Sequence, residues 1–214
     1  SKGGDPGRTS SAQPPELDSW YFLLFNASKK SITVNLKNPE GLQLVKDLAG
    51  VADVLVENFR AGTMDGLGLS YEILAELNPR LVYATVRGFG DPRTGTSPYA
   101  EWPAFDVVAQ AMGGIMGITG PERGQPLKVG PGVGDIVPAM LLTVGILAAV
   151  RHAERTGEGQ FVDVAMYDAV LALCERMIHQ HSYTGEVPGP EGNAHPLLCP
   201  FVPVPKIDGF LITE

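Results

Sequence analysis

The sequence predicts an α/β fold: a Rossmann-like, mainly parallel sheet with flanking helices. Three observations predict it. Apolar runs of five or six residues, the size of buried strands, alternate along the chain with helical patterns of ten or more. Gly, Pro, Asn and Ser punctuate the joints between them. No internal repeat turns the alternation into a solenoid.

Residues 1–18 are rich in Gly, Pro and Ser and read as a loop or a fraying end. A short apolar stretch, 20–25, runs into the polar cluster 26–30. Residues 31–36 alternate, with Ile32, Val34 and Leu36 apolar, and predict a strand. Asn38-Pro39-Glu40 then opens a helix, with a capping side chain, a proline at the first position and an acid in the first turn. Its apolar face, Leu42, Leu44, Val45, Leu48 and Ala49, stops at Gly50. Residues 52–56 predict a strand, and Ser70 caps a helix running to Leu77. Residues 81–86 predict the next buried strand, ended by Arg87-Gly88-Phe89-Gly90. A polar loop leads to a helix over 105–117, a Gly/Pro loop over 118–134 and a long apolar helix over 135–153. Gly157-Glu158-Gly159 turns into a strand over 160–165, and 166–183 is helical again. The Pro-rich tail, 185–214, ends in a strand-like run at 210–213 and stops in mid-pattern. The chain reads as a fragment cut at both ends: 1–184 the large α/β domain, 185–214 a linker and the start of a smaller one.

Length and composition bound the function. The 214 residues suffice for one ordinary α/β domain or two small ones, and 44% hydrophobic with 19% charged residues is a globular balance. A net charge of −8 disfavours a general nucleic-acid binder, which needs a basic face. Local basic pockets for phosphate-bearing ligands stay open. Cys174 and Cys199 are too few for a disulfide framework or a closed zinc site, which fits a reducing, cytoplasmic compartment. The longest apolar run, 136–150, contains Pro138, Thr143 and Gly145 and falls short of the roughly 20 residues of a membrane span. The first residues show no signal pattern. No membrane and no nucleic acid are expected as partners.

Generic nucleotide motifs are absent. Gly130-Pro131-Gly132-Val133-Gly134 lacks the G-x-G-x-x-G spacing, and Gly66-Leu67-Gly68 meets Tyr71 where the third glycine belongs. There is no Walker loop and no G-x-S-x-G elbow. His179 and His181, two apart on a helix, point about 200° apart, and with His152 and His195 they make no ligand spacing. No metal site is expected.

Three groups of residues remain. Asp168 follows the strand 160–165 in the first turn of the next helix, at the carboxyl end of a parallel strand, where α/β sheets place ligands. It reads either as a functional acid or as one that simply favours a helix start. Asp106 and Asp135 also open helices and read first as caps. Lys29, Lys30, Lys37, Arg60 and Arg87 sit at strand or turn ends. Most such residues are solvated surface; together they offer a phosphate site on an acidic protein.

At Val56-Glu57-Asn58-Phe59-Arg60-Ala61-Gly62 the sequence stops being generic. It resembles the V-E-N-F/Y-R-P-G segment of the family III CoA-transferases, which include formyl-CoA transferase and carnitine CoA-transferase and, more distantly, α-methylacyl-CoA racemase. Further segments resemble the family in order. They are Gly3-Gly4-Asp5-Pro6-Gly7-Arg8, Asn26-Ala27-Ser28-Lys29-Lys30-Ser31-Ile32, Leu36-Lys37-Asn38-Pro39-Glu40-Gly41 and Asn78-Pro79-Arg80-Leu81-Val82-Tyr83. Arg87-Gly88-Phe89-Gly90, Thr156-Gly157-Glu158-Gly159-Gln160 and Val162-Asp163-Val164-Ala165-Met166-Tyr167-Asp168-Ala169 complete the set.

The resemblance implies a CoA-transferase moving CoA from an acyl-CoA donor to a carboxylic acid through an aspartyl anhydride and an aspartyl-CoA thioester. Asp168 matches the family's nucleophile, and carboxylates, ionised at neutral pH, need no base to attack. Asp106 matches an acidic position beside it, with an orienting role or a helix cap as its two readings. Val34, Lys37, Asn58, Phe59, Ala61 and Thr63 match CoA-contacting positions: a lysine suits phosphate, an aromatic ring and small residues suit adenine and the pantetheine arm. Gly66 replaces an arginine that formyl-CoA transferase carries after P-G-x-x-D. Phe105 stands where the racemases resemble G-H-D, and phenylalanine exchanges no proton, so transferase chemistry is favoured over a racemase or epimerase. The stretch 118–134 resembles members that use succinyl-CoA as donor, although no arginine clamp for the acceptor is identified. A catalytically inactive CoA-binding homologue is the remaining alternative. The resemblance further implies no permanently bound cofactor, CoA thioesters as substrates, an interlocked homodimer and missing segments at both ends. A chain of this span alone is then expected to bind CoA poorly and turn nothing over.

Overall fold

The computed structural model describes residues 4–9, 17–193, 203–206 and 209–212. The chain divides into two compact units, Ser1–Leu36 and Lys37–Glu214. His195 and Cys199 lie outside the described residues.

The first unit is built around Ser19. A 3-10 turn, Pro6–Thr9, precedes α1 (Trp20–Asn26), so the apolar stretch 20–25 is helical. Ser19 is fully buried and caps that helix: its hydroxyl accepts from Phe22 N–H at 3.0 Å and donates to Gly7 C=O at 2.5 Å. Arg8 pairs with Asp18 and lies 4.0 Å from the centre of the Phe22 ring. The strand expected at 31–36 does not form: 31–35 carry no ladder, and Ile32 is two-thirds exposed. Alternation marks a strand only when a neighbouring strand pairs with it in register, and among the described residues no ladder forms at 31–35.

The second unit holds the sheet. α2 (Pro39–Ala49) starts where Asn38 accepts from Glu40 N–H and ends at Gly50. β1 (Val54–Glu57) follows, then one turn of helix, α3 (Thr63–Gly66), that the sequence did not announce. α4 (Tyr71–Leu77) is capped by Ser70, and β2 (Val82–Arg87) comes next. The helix expected over 105–117 is two, α5 (Asp106–Met112) and α6 (Ile115–Ile118), because Gly114 takes a left-handed φ of +92° between them. α7 runs Val133–Thr156, longer at both ends than its apolar run, and Gly157 ends it in the left-handed conformation. β3 (Phe161–Ala165) passes directly into α8 (Met166–Ala172). The single helix expected over 166–183 breaks at Leu173-Cys174, and α9 (Glu175–Thr184) resumes it. Last, β4 (Pro203–Lys206) pairs antiparallel with β5 (Gly209–Ile212), the strand expected near 210.

The three strands form a parallel sheet in the order β1-β2-β3, with Glu57 opposite Thr85 and Arg87 opposite Ala165. Central β2 is buried along nearly its whole length, as a parallel strand covered on both faces must be. Tyr71, Tyr83 and Phe161 pack with ring centres within 6.1 Å of one another, and Leu69, Leu74, Leu81 and Val82 are fully buried. At the start of β3, a Cβ on Gly159 would stand 2.0 Å from Leu81 C=O, so only glycine lets the two segments meet there. α7 lies against β2, β3, α5 and α8. It is the one described helix long and apolar enough to cross a membrane, a property that sheet-covering helices share.

This topology sends three connections out of one edge. β1 ends at Glu57, β2 at Arg87 and β3 at Ala165, so the segments starting at 58, 88 and 166 all leave the carboxyl side of the sheet.

Candidate functional site

Asp168 enters this edge without an intervening loop. β3 ends at Ala165, α8 begins at Met166, and Tyr167 N–H donates to Gly88 C=O at 3.0 Å, tying the helix start to the segment after β2. Met166, Ala169 and Val170 are buried, Met166 and Val170 packing with Ala109 of α5, while Asp168 is exposed. The helical period thus drives its neighbours into the core and turns this carboxylate outward. It opens into a cleft of about 390 Å3 lined by Phe89, Asp91, Tyr99, Asp163, Tyr167 and the segment 94–98. Among the described residues, no Lys or Arg lines this cleft.

Buried ions shape the edge beside it. Arg87, Glu57 and Asp91 have side chains exposed by only 5%, 2% and 0%, and Arg87 pairs with both acids. The same arginine donates through Nε to Phe59 C=O at 3.1 Å, and Glu57 Oε2 accepts from Phe59 N–H at 2.7 Å. Both polar groups of the Phe59 backbone are therefore gripped by one ion pair while its ring stands half-exposed. Burial pushes the Glu57 carboxyl above the usual carboxylate range, and Arg87 opposes that rise. Arg87 is consequently no free cation for a phosphate, which corrects the expectation that grouped it with the surface lysines.

A second arginine knits the outer loop. Arg93 bonds Glu72 at 2.8 Å and Asp65, and also reaches Asp91. These bonds hold Glu72 down to about 2 and raise Arg93. Asp163 ties the loop inward, accepting from Thr85, Asp91 and Thr94.

The expected CoA-contacting residues are spread over both units. Val34, in the first unit, is half-buried. In the second, Lys37 is exposed just before α2, and Asn58, Phe59, Ala61 and Thr63 follow β1 on the carboxyl edge of the sheet. That edge carries Asp168 as well, so the topology brings these four to the same side of the sheet as Asp168. Gly62, at φ +77°, turns the chain into α3 immediately before Thr63.

Asp106 is placed differently. It is not among the residues lining the cleft. Nor does it cap its own helix: Phe105 precedes α5 with no side-chain cap bond. Its carboxylate instead accepts Gly134 N–H at 2.8 Å, an amide in the first turn of α7, and both oxygens take Gln110 Nε2 at 2.9–3.0 Å. Gln110 is fully buried, and its carbonyl oxygen accepts Val129 N–H. Asp106 therefore fastens the start of α7 and the loop before it to α5. Asp135, in the same first turn, is raised by desolvation and by Asp106. His181 Nδ1 lies 3.1 Å from Glu186 C=O, and among the described residues no group of three or more His, Cys, Asp or Glu side chains is placed to hold a metal.

Sequence reasoning missed the ion pair, Asp163 and Gln110. The signal was present for two of them: Glu57, Arg87 and Asp163 are charged residues at or inside strands of buried type, where an unpaired charge is not tolerated.

Known proteins resemble this chain in sequence and fold. A succinyl-CoA:mesaconate CoA-transferase of Haloarcula marismortui is 52% identical over 192 residues, 90% of this chain and 48% of that protein. A succinate–glutarate CoA-transferase of Agrobacterium fabrum is 41% identical over 217 residues, 99% of this chain and 53% of that protein. The crystal structure of a CAIB/BAIF family protein from Brucella suis superposes with a TM-score of 0.86 at 36% identity, over 99% of this chain and 56% of that one. The chain spans about half the length of the curated relatives it matches. The profile of CoA-transferase family III covers residues 1–213, and the chain belongs to that family.

Proposed function

We propose that this chain carries the acylated centre of a CoA-transferase that moves CoA between carboxylic acids, with Asp168 as nucleophile and succinyl-CoA as donor. The observation that carries the reading is the exposed Asp168 carboxylate opening into a cleft at the carboxyl edge of a parallel sheet, the edge from which the segment 58–63 also leaves. Two relatives named for succinyl or succinate transfer support the choice of donor.

In this reading an Asp168 oxygen attacks the donor thioester carbonyl; the C–S bond breaks and CoA leaves as thiolate, giving a mixed anhydride. The thiolate then attacks the aspartyl carbonyl of the anhydride, releasing the donor acid and leaving an Asp168-CoA thioester. The acceptor carboxylate attacks that thioester, CoA thiolate leaves again, and a second anhydride forms. Attack of the thiolate on the acceptor's acyl carbon releases the new acyl-CoA and restores the Asp168 carboxylate. Each step exchanges one acyl bond for another, so no ATP is consumed. Lys37, Asn58, Phe59, Ala61 and Thr63 contact CoA, with the clamped Phe59 backbone presenting its ring at a fixed place. Asp106 orients the site from the base of α7. The working enzyme is a cytoplasmic, interlocked homodimer of the relatives' full length. Phe105, three-quarters exposed and unable to exchange a proton, speaks against an acyl-CoA racemase.

The test uses the protein extended to its relatives' full length. Incubation with succinyl-CoA and hydroxylamine is expected to leave a hydroxamate on Asp168 in the tryptic peptide spanning 156–176, absent from Asp168→Asn. An unmodified peptide with succinyl-CoA and other acyl-CoA donors, in a protein that still binds CoA, would overturn the reading in favour of a binding protein or racemase.

A further inference from the structure

Asp163 stands in β3 five residues before Asp168, and the reaction above gives it no part. Its carboxylate nonetheless collects three hydrogen bonds from two other segments. Oδ1 accepts from Thr85 Oγ1 of β2 at 2.9 Å. Oδ2 accepts from Asp91 N–H at 2.8 Å and Thr94 Oγ1 at 2.6 Å. Hydrogen bonds to an ionised acceptor are short and strong, and these two hang both ends of one loop turn on a single oxygen. Gly90 makes the approach possible: its φ is +81°, and a Cβ there would stand 3.3 Å from that oxygen. Thr94 and the residues after it, Gly95, Thr96, Ser97 and Tyr99, form one wall of the cleft into which Asp168 opens.

We infer that Asp163 is a positioning residue: it fixes the 91–97 wall against the strand that delivers Asp168, and that wall reads the acyl group of the donor thioester. The inference rests on Asp168 being the acylated residue. The chemistry of the wall defines the ligand class. With no Lys or Arg among the described residues that line the cleft, polar acyl groups meet uncharged donors here, the hydroxyls of Thr96, Ser97 and Tyr99. The distance between wall and nucleophile then sets which acyl chain is held in line for attack. That distance is set jointly by Oδ2 of Asp163, which takes Asp91 N–H and the Thr94 hydroxyl, and by the Arg87–Asp91 pair that holds the start of the loop.

The test compares Asp163→Asn, Thr94→Val and Thr94→Ser with the parent protein at its relatives' full length. Asparagine keeps the volume but replaces one carboxylate oxygen with an amide nitrogen. That removes a carboxylate able to accept from Thr85, Asp91 N–H and Thr94 together. Valine deletes the Thr94 hydroxyl at an exposed position, so this variant folds even if Asp163→Asn does not. Trypsin cleavage between Arg93 and Thr94 reads the wall directly. It is expected to rise about tenfold in Asp163→Asn and Thr94→Val, since losing such bonds raises local opening, and to return to the parent rate in Thr94→Ser. Kinetics read its purpose. Turnover of succinyl-CoA is expected to fall on the order of a hundredfold, as for a displacement near 1 Å, with KM nearly unchanged. Glutaryl-CoA, one methylene longer, loses less, so the ratio of kcat/KM values shifts toward it. Unchanged cleavage overturns the clip. Faster cleavage with unaltered turnover and chain-length preference overturns the wall as the acyl-reading surface. Absence of an Asp168 adduct in the parent protein overturns the functional reading instead, and the cleavage rates still judge the clip.

Discussion

Replacing Arg87 with methionine should destabilise the protein by about 3–5 kcal/mol, the range for removing one partner of a buried ion pair. The structure fixes that magnitude. Glu57 and Asp91, its two partners, are as buried as Arg87 itself, so neither carboxylate can turn to water once the guanidinium is gone. Phe59 C=O loses its donor as well, a further loss of about 1 kcal/mol. For a unit of this size, a deficit of that order lowers Tm by roughly 6–20 °C. The deficit depends on pH, and its sign follows from Glu57. Burial already pushes that carboxyl up against the pull of Arg87; without the arginine it rises further. Folded Glu57 then holds a proton that the unfolded chain has released, so stability falls as pH rises. Denaturant unfolding of parent and variant should therefore show the largest gap at neutral pH and a smaller one toward pH 5. A gap below about 1 kcal/mol, typical of an exposed pair, or one that widens on acidification, would refute the reasoning.

Two further outcomes follow from the same contacts. Glu72→Gln should weaken the protein by about 1 kcal/mol or less at neutral pH, because Glu72 is largely exposed and its pair with Arg93 is screened. The Glu72 carboxyl is held down from 4.5 to about 2, so its contribution is complete above pH 4.5 and lost as pH falls toward 2. Urea midpoints of parent and variant should converge at pH 2, and a gap persisting there would contradict the assignment. Asp106→Ala should cost about 1–3 kcal/mol, since Gly134 N–H and the buried Gln110 amide lose their acceptor; lost turnover with an unchanged Tm would instead make Asp106 a group that acts on substrate.

Where local chemistry decided the structure, the sequence was readable. Asn38, Pro39 and Gly50 frame α2 because each satisfies a specific end of the helix. Gly157 ends α7 for the same kind of reason, and the first-turn place of Asp168 was legible because strand and helix follow each other without a gap. What needed a partner was not readable. The alternation at 31–36 is that of a strand, but a strand is made by its neighbour. The breaks at Gly113-Gly114 and Leu173-Cys174 interrupt apolar patterns that keep a helical period across them. A Cβ on Gly113 would stand within 2.8 Å of Val170 and of Ala109 C=O, a tertiary constraint with no local mark. Arg87 shows the limit most sharply: its position at a strand end reads as surface, and only the parallel register, with Glu57 one strand away and Asp91 one turn on, reveals it as the buried centre of the edge.

The central claim is that Asp168 itself carries the acyl group, and the fate of one oxygen tests it most directly. In the proposed sequence the bridging oxygen of the second anhydride comes from the acceptor and stays with Asp168 when thiolate takes the acyl carbon. The full-length protein would be turned over with succinyl-CoA and an acceptor acid labelled with oxygen-18 in its carboxylate, and the peptide spanning 156–176 analysed by mass spectrometry. The account predicts a gain of about 2 Da on Asp168 after one turnover, the mass of one transferred oxygen, and up to about 4 Da after repeated turnovers that exchange both carboxylate oxygens. Full turnover with an unlabelled Asp168 would mean that the acids exchange CoA without passing through this residue, and the account would fall.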